Sequence, residues 1–350
     1  MSTPVSSRAP MPGSRPASIL DRLVPVSPQW CIPPRKAERF GWIQLVLGIL
    51  LFLGAQTASM FLVLIIGSAR FNVDVKPGAT LIMAVVGAPI AVIGYWLLVR
   101  YVGGRPVIEL GGRGAALREL GVGLGVGALL MCAVIAVLAL AGSYHVVDIG
   151  WSAGILGGLG TGLSAGFTEE ILFRGILLRL IEGWLGTWWA LAITSVLFGA
   201  AHLGNPHITA FGAVAIIVEA GILLGACYLL TRRLWLAIGV HIAWNFVQGG
   251  IFGSDISGTG SGRGLIEARF TGPDLLTGGA MGVEGSIVAI IVCTAAGLAV
   301  LVEVHRRGLI VPPCWRRPAA PSSSAIGDGP PRVMNGSAPG VRPAARPESR

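Results

Sequence analysis

Three short stretches of this sequence combine reactive residue types with spacings that would bring them to one helix face. In Thr168-Glu169-Glu170-Ile171-Leu172-Phe173-Arg174-Gly175, three charges interrupt an apolar, glycine-rich run. Charged side chains at membrane depth cost several kcal/mol each, so they are rare there and mark functional paths or sites. Glu170 and Arg174 stand four apart with the acid first, the favoured order for a helical ion pair. Glu169 lies about 100° around the helix from Glu170, so it faces a different surface and has no local partner. A positioned carboxylate of that kind is a suitable general base for water. The plainer alternative is a structural ion pair with no chemistry attached.

The other two stretches are Phe198-Gly199-Ala200-Ala201-His202 and His241-Ile242-Ala243-Trp244-Asn245. A four-residue spacing puts Phe198 beside His202 and His241 beside Asn245. Each stretch lies in a separate apolar segment, so three helices must converge for these groups to meet. At about 1.5 Å of rise per residue, Glu169, His202 and His241 fall roughly 20, 22 and 10 Å from the inner ends of their segments. Those depths are compatible with one buried cavity and leave open the face to which it opens. Glu219, inside Ile216-Ile217-Val218-Glu219-Ala220, is expected to pair with Arg174 or to line the same cavity, and pairing is favoured because intramembrane acids usually have partners. His145, His207 and His305 fall at segment ends or in loops and read as interfacial.

The elements that must carry these residues follow from hydrophobic patterning. The chain has 350 residues, 53% hydrophobic and 12% charged, with a mean hydropathy of +0.74. Soluble domains carry roughly 25% charged residues, so this is a polytopic membrane protein. Runs of spanning length, about 20 residues, occupy approximately 42–68, 79–101 and 119–142. A nearly continuous apolar stretch over 150–252 is divided by Gly183-Trp184-Leu185-Gly186, Gly204-Asn205-Pro206 and Thr231-Arg232-Arg233. Its segments run over about 150–182, 187–203, 210–230 and 234–252, and a last run covers 285–305. The expected fold is an all-α transmembrane bundle of about eight spans. Runs of this length without alternation exclude a transmembrane barrel. The 150–182 run is long for one span, and a break at Gly166 and Thr168 is expected, with Thr168 capping a helix that starts at Glu169. The many glycines of the spans, Gly154 to Gly162 among them, read as packing residues.

The net charge of +9 sits in the tails: residues 1–41 carry +4, residues 306–350 carry +6, and the middle carries −1. The tails are rich in Pro, Ser and Arg and read as disordered basic arms, which fits contact with anionic membrane lipid better than nucleic-acid recognition. The loops alternate in charge. Arg100, Arg105, Arg113 and Arg118, then Arg179, then Arg232 and Arg233, then the C-terminal tail fall on one side, whereas 143–150 and 203–210 carry no Lys or Arg. The first outer loop carries Arg70 and Lys76, and the outer loop 253–284 carries Arg263 and Arg269. This positive-inside pattern places both termini in the cytoplasm of a multi-pass cell-membrane protein. The five cysteines are scattered with no C-x-x-C pair, so neither a disulfide framework nor a thiolate metal site is indicated.

Taken together, E-E-x-x-x-R, F-x-x-x-H and H-x-x-x-N in this order on three apolar segments resemble the CPBP intramembrane proteases, which include the type II CAAX prenyl endopeptidases and the bacterial Abi proteins. The resemblance covers about residues 150–252, flanked by N-terminal spans over 42–149. It implies that Glu169 activates water with His202, and that His241 and Asn245 stabilise the oxyanion of the scissile carbonyl. Glu170, Arg174 and Phe198 would support them. It also implies a substrate that is a membrane-associated peptide, such as a prenylated tail or a leader. Glu169, His202 and His241 have the composition of a two-histidine, one-carboxylate zinc site with Glu170 as base, but H-E-x-x-H is absent and the metal-free mechanism is preferred. Competing readings are a transporter or channel with a polar relay, which should show matched broken helices in two halves, and a non-enzymatic immunity or scaffold protein.

Overall fold

The computed structural model describes Asp21, Leu23 and residues 41–68, 75–260 and 262–317. The rest of the expected N-terminal arm and the tail beyond 317 lie outside the described residues. Ten helices carry the fold: α1 (Gly41–Ser68), α2 (Val75–Leu97), α3 (Arg113–Leu140), α4 (Ala153–Glu170), α5 (Arg179–Leu185), α6 (Thr187–Ala201), α7 (Ala210–Ile216), α8 (Ile222–Thr231), α9 (Trp235–Asn245) and α10 (Ile287–Arg306). The protein is an all-α polytopic bundle. Among the described residues, six helices are long and apolar enough to cross a membrane: Gly41–Ile65, Gly78–Val102, Gly114–Leu140, Thr187–Gly204, Ala210–Thr231 and Ile287–Arg306. The remaining two segments of the sequence reading fall short for physical reasons. The first, through α4 and α5, carries Glu169, Glu170, Arg174, Arg179 and Glu182, and the second is a short helix, α9, extended by a π-turn to Ile251.

No break occurs at Gly166 or Thr168. The helix is continuous through both, and the Thr168 hydroxyl donates back to the Ser164 carbonyl at 2.8 Å instead of capping a new helix. The irregularity comes one turn later, as a π-turn over Ile171–Leu178 joining α4 to α5. Such turns free main-chain carbonyls. Here the Gly175 carbonyl accepts from the Tyr95 hydroxyl at 3.1 Å and from Arg179 Nε at 2.6 Å.

Helix α9 is the axis of the bundle. Every residue from Leu236 to Asn245 is buried. It lies between α3 and α4, whose glycines let the backbones touch: a Cβ added to Gly127 would lie 2.3 Å from the Val240 carbonyl oxygen, and one added to Gly162 would lie 2.7 Å from that of Ile242. Without a hydrophobic driving force in lipid, such close packing is a principal source of helix association.

The loops gather at two ends. At one, the Leu234 amide donates to the Glu109 carbonyl at 3.1 Å, Arg233 Nε to Glu119 at 2.7 Å, Arg179 to Gln44 at 3.0 Å, and the Thr187 amide to the Val311 carbonyl at 2.9 Å. This is the end where the arginine-rich loops meet. At the other, an antiparallel pair of strands, β1 (Tyr144–Ile149) and β2 (Ile266–Phe270), ties the α3–α4 connection to the segment before α10. Asn205 Nδ2 donates to the Ser257 carbonyl at 2.6 Å, and the His207 amide to that of Gly258 at 3.0 Å. The sequence reading found no strand alternation and missed this ribbon, because it is short and lies in loops.

Candidate active site

The three motifs converge around the ring of Phe198. The Arg174 guanidinium carbon stands 4.5 Å from its centroid. The His202 ring is 5.0 Å away, the His241 ring 6.1 Å, and Phe173 meets it edge-on at 4.9 Å. Arg174 and Phe198 are each about 2% exposed, so the cation sits on the aromatic face out of water, where such an interaction contributes most.

Arg174 Nη1 donates to Glu170 Oε1 at 2.9 Å, as the spacing predicts, and its Nη2 reaches the carbonyls of Ala220 and Gly221 at 3.1 and 3.4 Å. Both carbonyls lie within a second π-turn, Ile217–Gly221, that joins α7 to α8. The same Glu170 oxygen accepts from His241 Nδ1 at 2.9 Å. Two expectations are therefore corrected. Glu219 is not the partner of Arg174, because the backbone already fills the second half of the guanidinium fork. His241 reaches Glu170 rather than Glu169, because Glu170 is on the face turned toward α9.

Both histidine tautomers follow from hydrogen-bond chemistry. His202 Nδ1 is 2.7 Å from the Phe198 carbonyl oxygen, which can only accept, so Nδ1 carries the hydrogen and neutral His202 offers a basic Nε2. His241 likewise donates Nδ1–H to the Glu170 carboxylate, leaving its own Nε2 for other chemistry. Glu169 Oε2 is buried without a hydrogen-bond partner, as is Oε2 of Glu170.

A cavity beside Phe198 is lined by His202, His241, Asn245 and Glu219 together with Glu284 and Ser257. Its free volume is about 30 Å³, enough for water at the roughly 10–15 Å³ that one molecule needs. Glu169 is not part of this lining. Glu284 is the residue that the sequence reading missed. It is 4% exposed, its carboxylate accepts the Ser257 amide, and Trp244 Nε1 stands 3.5 Å from Oε2. An acid three residues ahead of an apolar helix looks like ordinary helix-end decoration, and only the folded loop carries it inward.

Three of the four π-turns among the described residues border this site, at Ile171–Leu178, Ile217–Gly221 and Phe246–Ile251. They follow Glu170, contain Glu219 and follow Asn245. Among the described residues no group of three or more His, Cys, Asp or Glu is arranged to hold a metal ion. Glu169, His202 and His241 do not form such a group, although both histidines bond through Nδ1 and keep Nε2 free. The other histidines lie elsewhere: His145 in β1 against Thr271 at 2.9 Å, His207 in the loop between α6 and α7 facing Asp255, and His305 in the last turn of α10.

No curated protein matches the chain. Residues 150–247, the stretch that holds every motif residue, match the family described as Type II CAAX prenyl endopeptidase Rce1-like, and it is to that family of membrane proteases that this part of the chain is similar.

Proposed function

We propose that this protein is an intramembrane endopeptidase that hydrolyses a peptide bond in a membrane-associated peptide through a water activated by Glu169 and His202. The observation that carries the reading is the chain of hydrogen bonds Arg174–Glu170–His241, which aims one histidine at a water-sized cavity that also receives His202 and Asn245. Each part answers a requirement of peptide hydrolysis. Glu169 does not line the resting cavity and acts there once its side chain turns in; it then brings a carboxylate oxygen without a partner, and His202 a basic nitrogen, so water can be deprotonated and the proton handed on. On the rigid axis helix, the Asn245 amide donates to the oxyanion of the tetrahedral intermediate, and His241 joins it as imidazolium, keeping Nδ1–H on Glu170 and donating Nε2–H. Glu170 and Arg174 hold His241 and do no bond chemistry themselves. Nothing in this scheme requires a metal.

In this reading the segments through α4–α5 and α9 complete eight passes of the cell membrane, and the arginine-rich end is cytoplasmic with both termini. The test is cleavage of a membrane-anchored peptide library by the purified full-length protein in bilayers. Cleavage products should form with the wild type and be lost with Glu169→Gln. Equal cleavage by both would remove the mechanism.

A further inference from the structure

The depth of the motif residues alone does not decide which side of the membrane a substrate comes from, but the cavity wall does. Helix α6 starts at the arginine-rich end with Thr187 and reaches His202 only after its last residue, Ala201, about 22 Å along at 1.5 Å per residue. The cavity walls otherwise come from helices, whose backbones are internally hydrogen-bonded. The exceptions are Ser257 and Glu284, both contributed by the loop between α9 and α10. That loop sits at the end of the bundle away from the arginines, where Asn205 bonds the Ser257 carbonyl and β2 pairs with β1.

The opposite end is shut by buried charge. Arg232, Thr187 and Arg317 converge on Glu182, which is 2% exposed, and the C-terminal segment is stitched across them through Val311. A peptide entering there would have to open a buried ion pair, which costs several kcal/mol. At the loop end the wall is Ser257 and Glu284, held by hydrogen bonds to each other, to Asn205 and to Trp244 and not by an ion pair between them. The free volume of about 30 Å³ is too small for a peptide, so some wall must move for turnover, and the loop is the wall that can move without unwinding an α-helix.

We infer that the substrate enters from the extracytoplasmic side, past the Ser257–Glu284 loop, and is therefore a chain presented on that face, such as an exported or membrane-anchored peptide, and not a tail held at the cytoplasmic surface. This inference rests on the endopeptidase reading for its substrate, whereas the accessible face can be measured without turnover.

Two measurements on the full-length protein in intact cells separate these. In a background with the native cysteines replaced, Ser257→Cys is treated with a membrane-impermeant maleimide, beside a variant that keeps only Cys314. Position 257 should label in intact cells and Cys314 only after permeabilisation. Labelling of 257 only after permeabilisation overturns the inference. In parallel, new peptide ends are mapped on membrane proteins from cells with wild-type protein and with Glu169→Gln. Ends that depend on Glu169 should lie in extracytoplasmic segments, and ends in cytoplasmic segments overturn the inference while leaving the protease reading intact. If no ends depend on Glu169, the protease reading fails and the labelling alone decides the face. If Ser257→Cys does not accumulate, Thr259→Cys in the same loop replaces it.

Discussion

At the scale of single residues the site separates groups that hold from groups that react. Glu169→Gln keeps the shape and removes the base, so turnover should fall by roughly 10² to 10⁴ with abundance unchanged. Steady-state cleavage beside a detergent thermal-stability assay checks both halves. Asn245→Ala should cost about 10² to 10³ in kcat if its amide serves the oxyanion. A fall confined to KM would assign it to binding instead. Arg174→Ala is a different kind of change. It strips a cation from Glu170, from two backbone carbonyls and from the Phe198 face, all out of water. Glu170 then keeps only the His241 hydrogen bond, and removing the cation from a buried carboxylate costs roughly 3 to 5 kcal/mol, so this variant should fail in abundance before activity. Normal accumulation and melting of Arg174→Ala would show that Glu170 is held by something else.

At the scale of elements, α9 decides whether the site exists, and its neighbours decide where α9 lies. Gly127→Leu on α3 has no room, since even a first carbon would press on the Val240 carbonyl at 2.3 Å. The helix must shift, and overpacking of this sort costs about 1 to 3 kcal/mol. Because Val240 immediately precedes His241, the displacement passes straight into the Glu170 hydrogen bond. Gly127→Leu should therefore lose more activity than stability, as read from cleavage rate against melting temperature. Gly121→Leu on the same helix is the control, because its added carbon meets open space. The π-turns belong to this scale as well: by freeing carbonyls at Ala220 and Gly221 they supply acceptors that a regular helix would have consumed.

At the scale of the molecule, the two ends behave differently. The arginine-rich end is a buried electrostatic knot in which Glu182 joins α5 to Arg232, to Thr187 and to the segment ahead of the C-terminal tail. Glu182→Ala removes the carboxylate that orients Arg232 and Thr187, the groups that bond Leu309 and Val311, and leaves Arg317 only the main-chain carbonyl of residue 182, so the 309–317 segment should loosen. Limited trypsinolysis read by intact mass should then show faster cleavage after Arg316 than in the wild type, the Arg317–Pro318 bond being resistant. An unchanged cleavage pattern would mean that the segment is held by Thr187 and the backbone alone. The opposite end is held by a two-stranded ribbon and loop hydrogen bonds, without such a knot of charge on the cavity wall.

The sequence by itself determined the membrane class, the apolar segments and the three motifs, because length, hydropathy and i to i+4 spacing are local properties. It also identified the Glu170–Arg174 pair, which needs nothing beyond one helical turn. Tertiary structure alone decided that His241 bonds Glu170, that Arg174 takes backbone carbonyls instead of Glu219, and that Glu284 enters the cavity from a loop. Each of these depends on how helices distant in sequence rotate against one another, and that rotation is set by glycine contacts such as Gly127 on Val240 and Gly162 on Ile242. In the chain those glycines look like every other glycine. Only packing shows which of them bring backbones together and so aim the side chains one residue away.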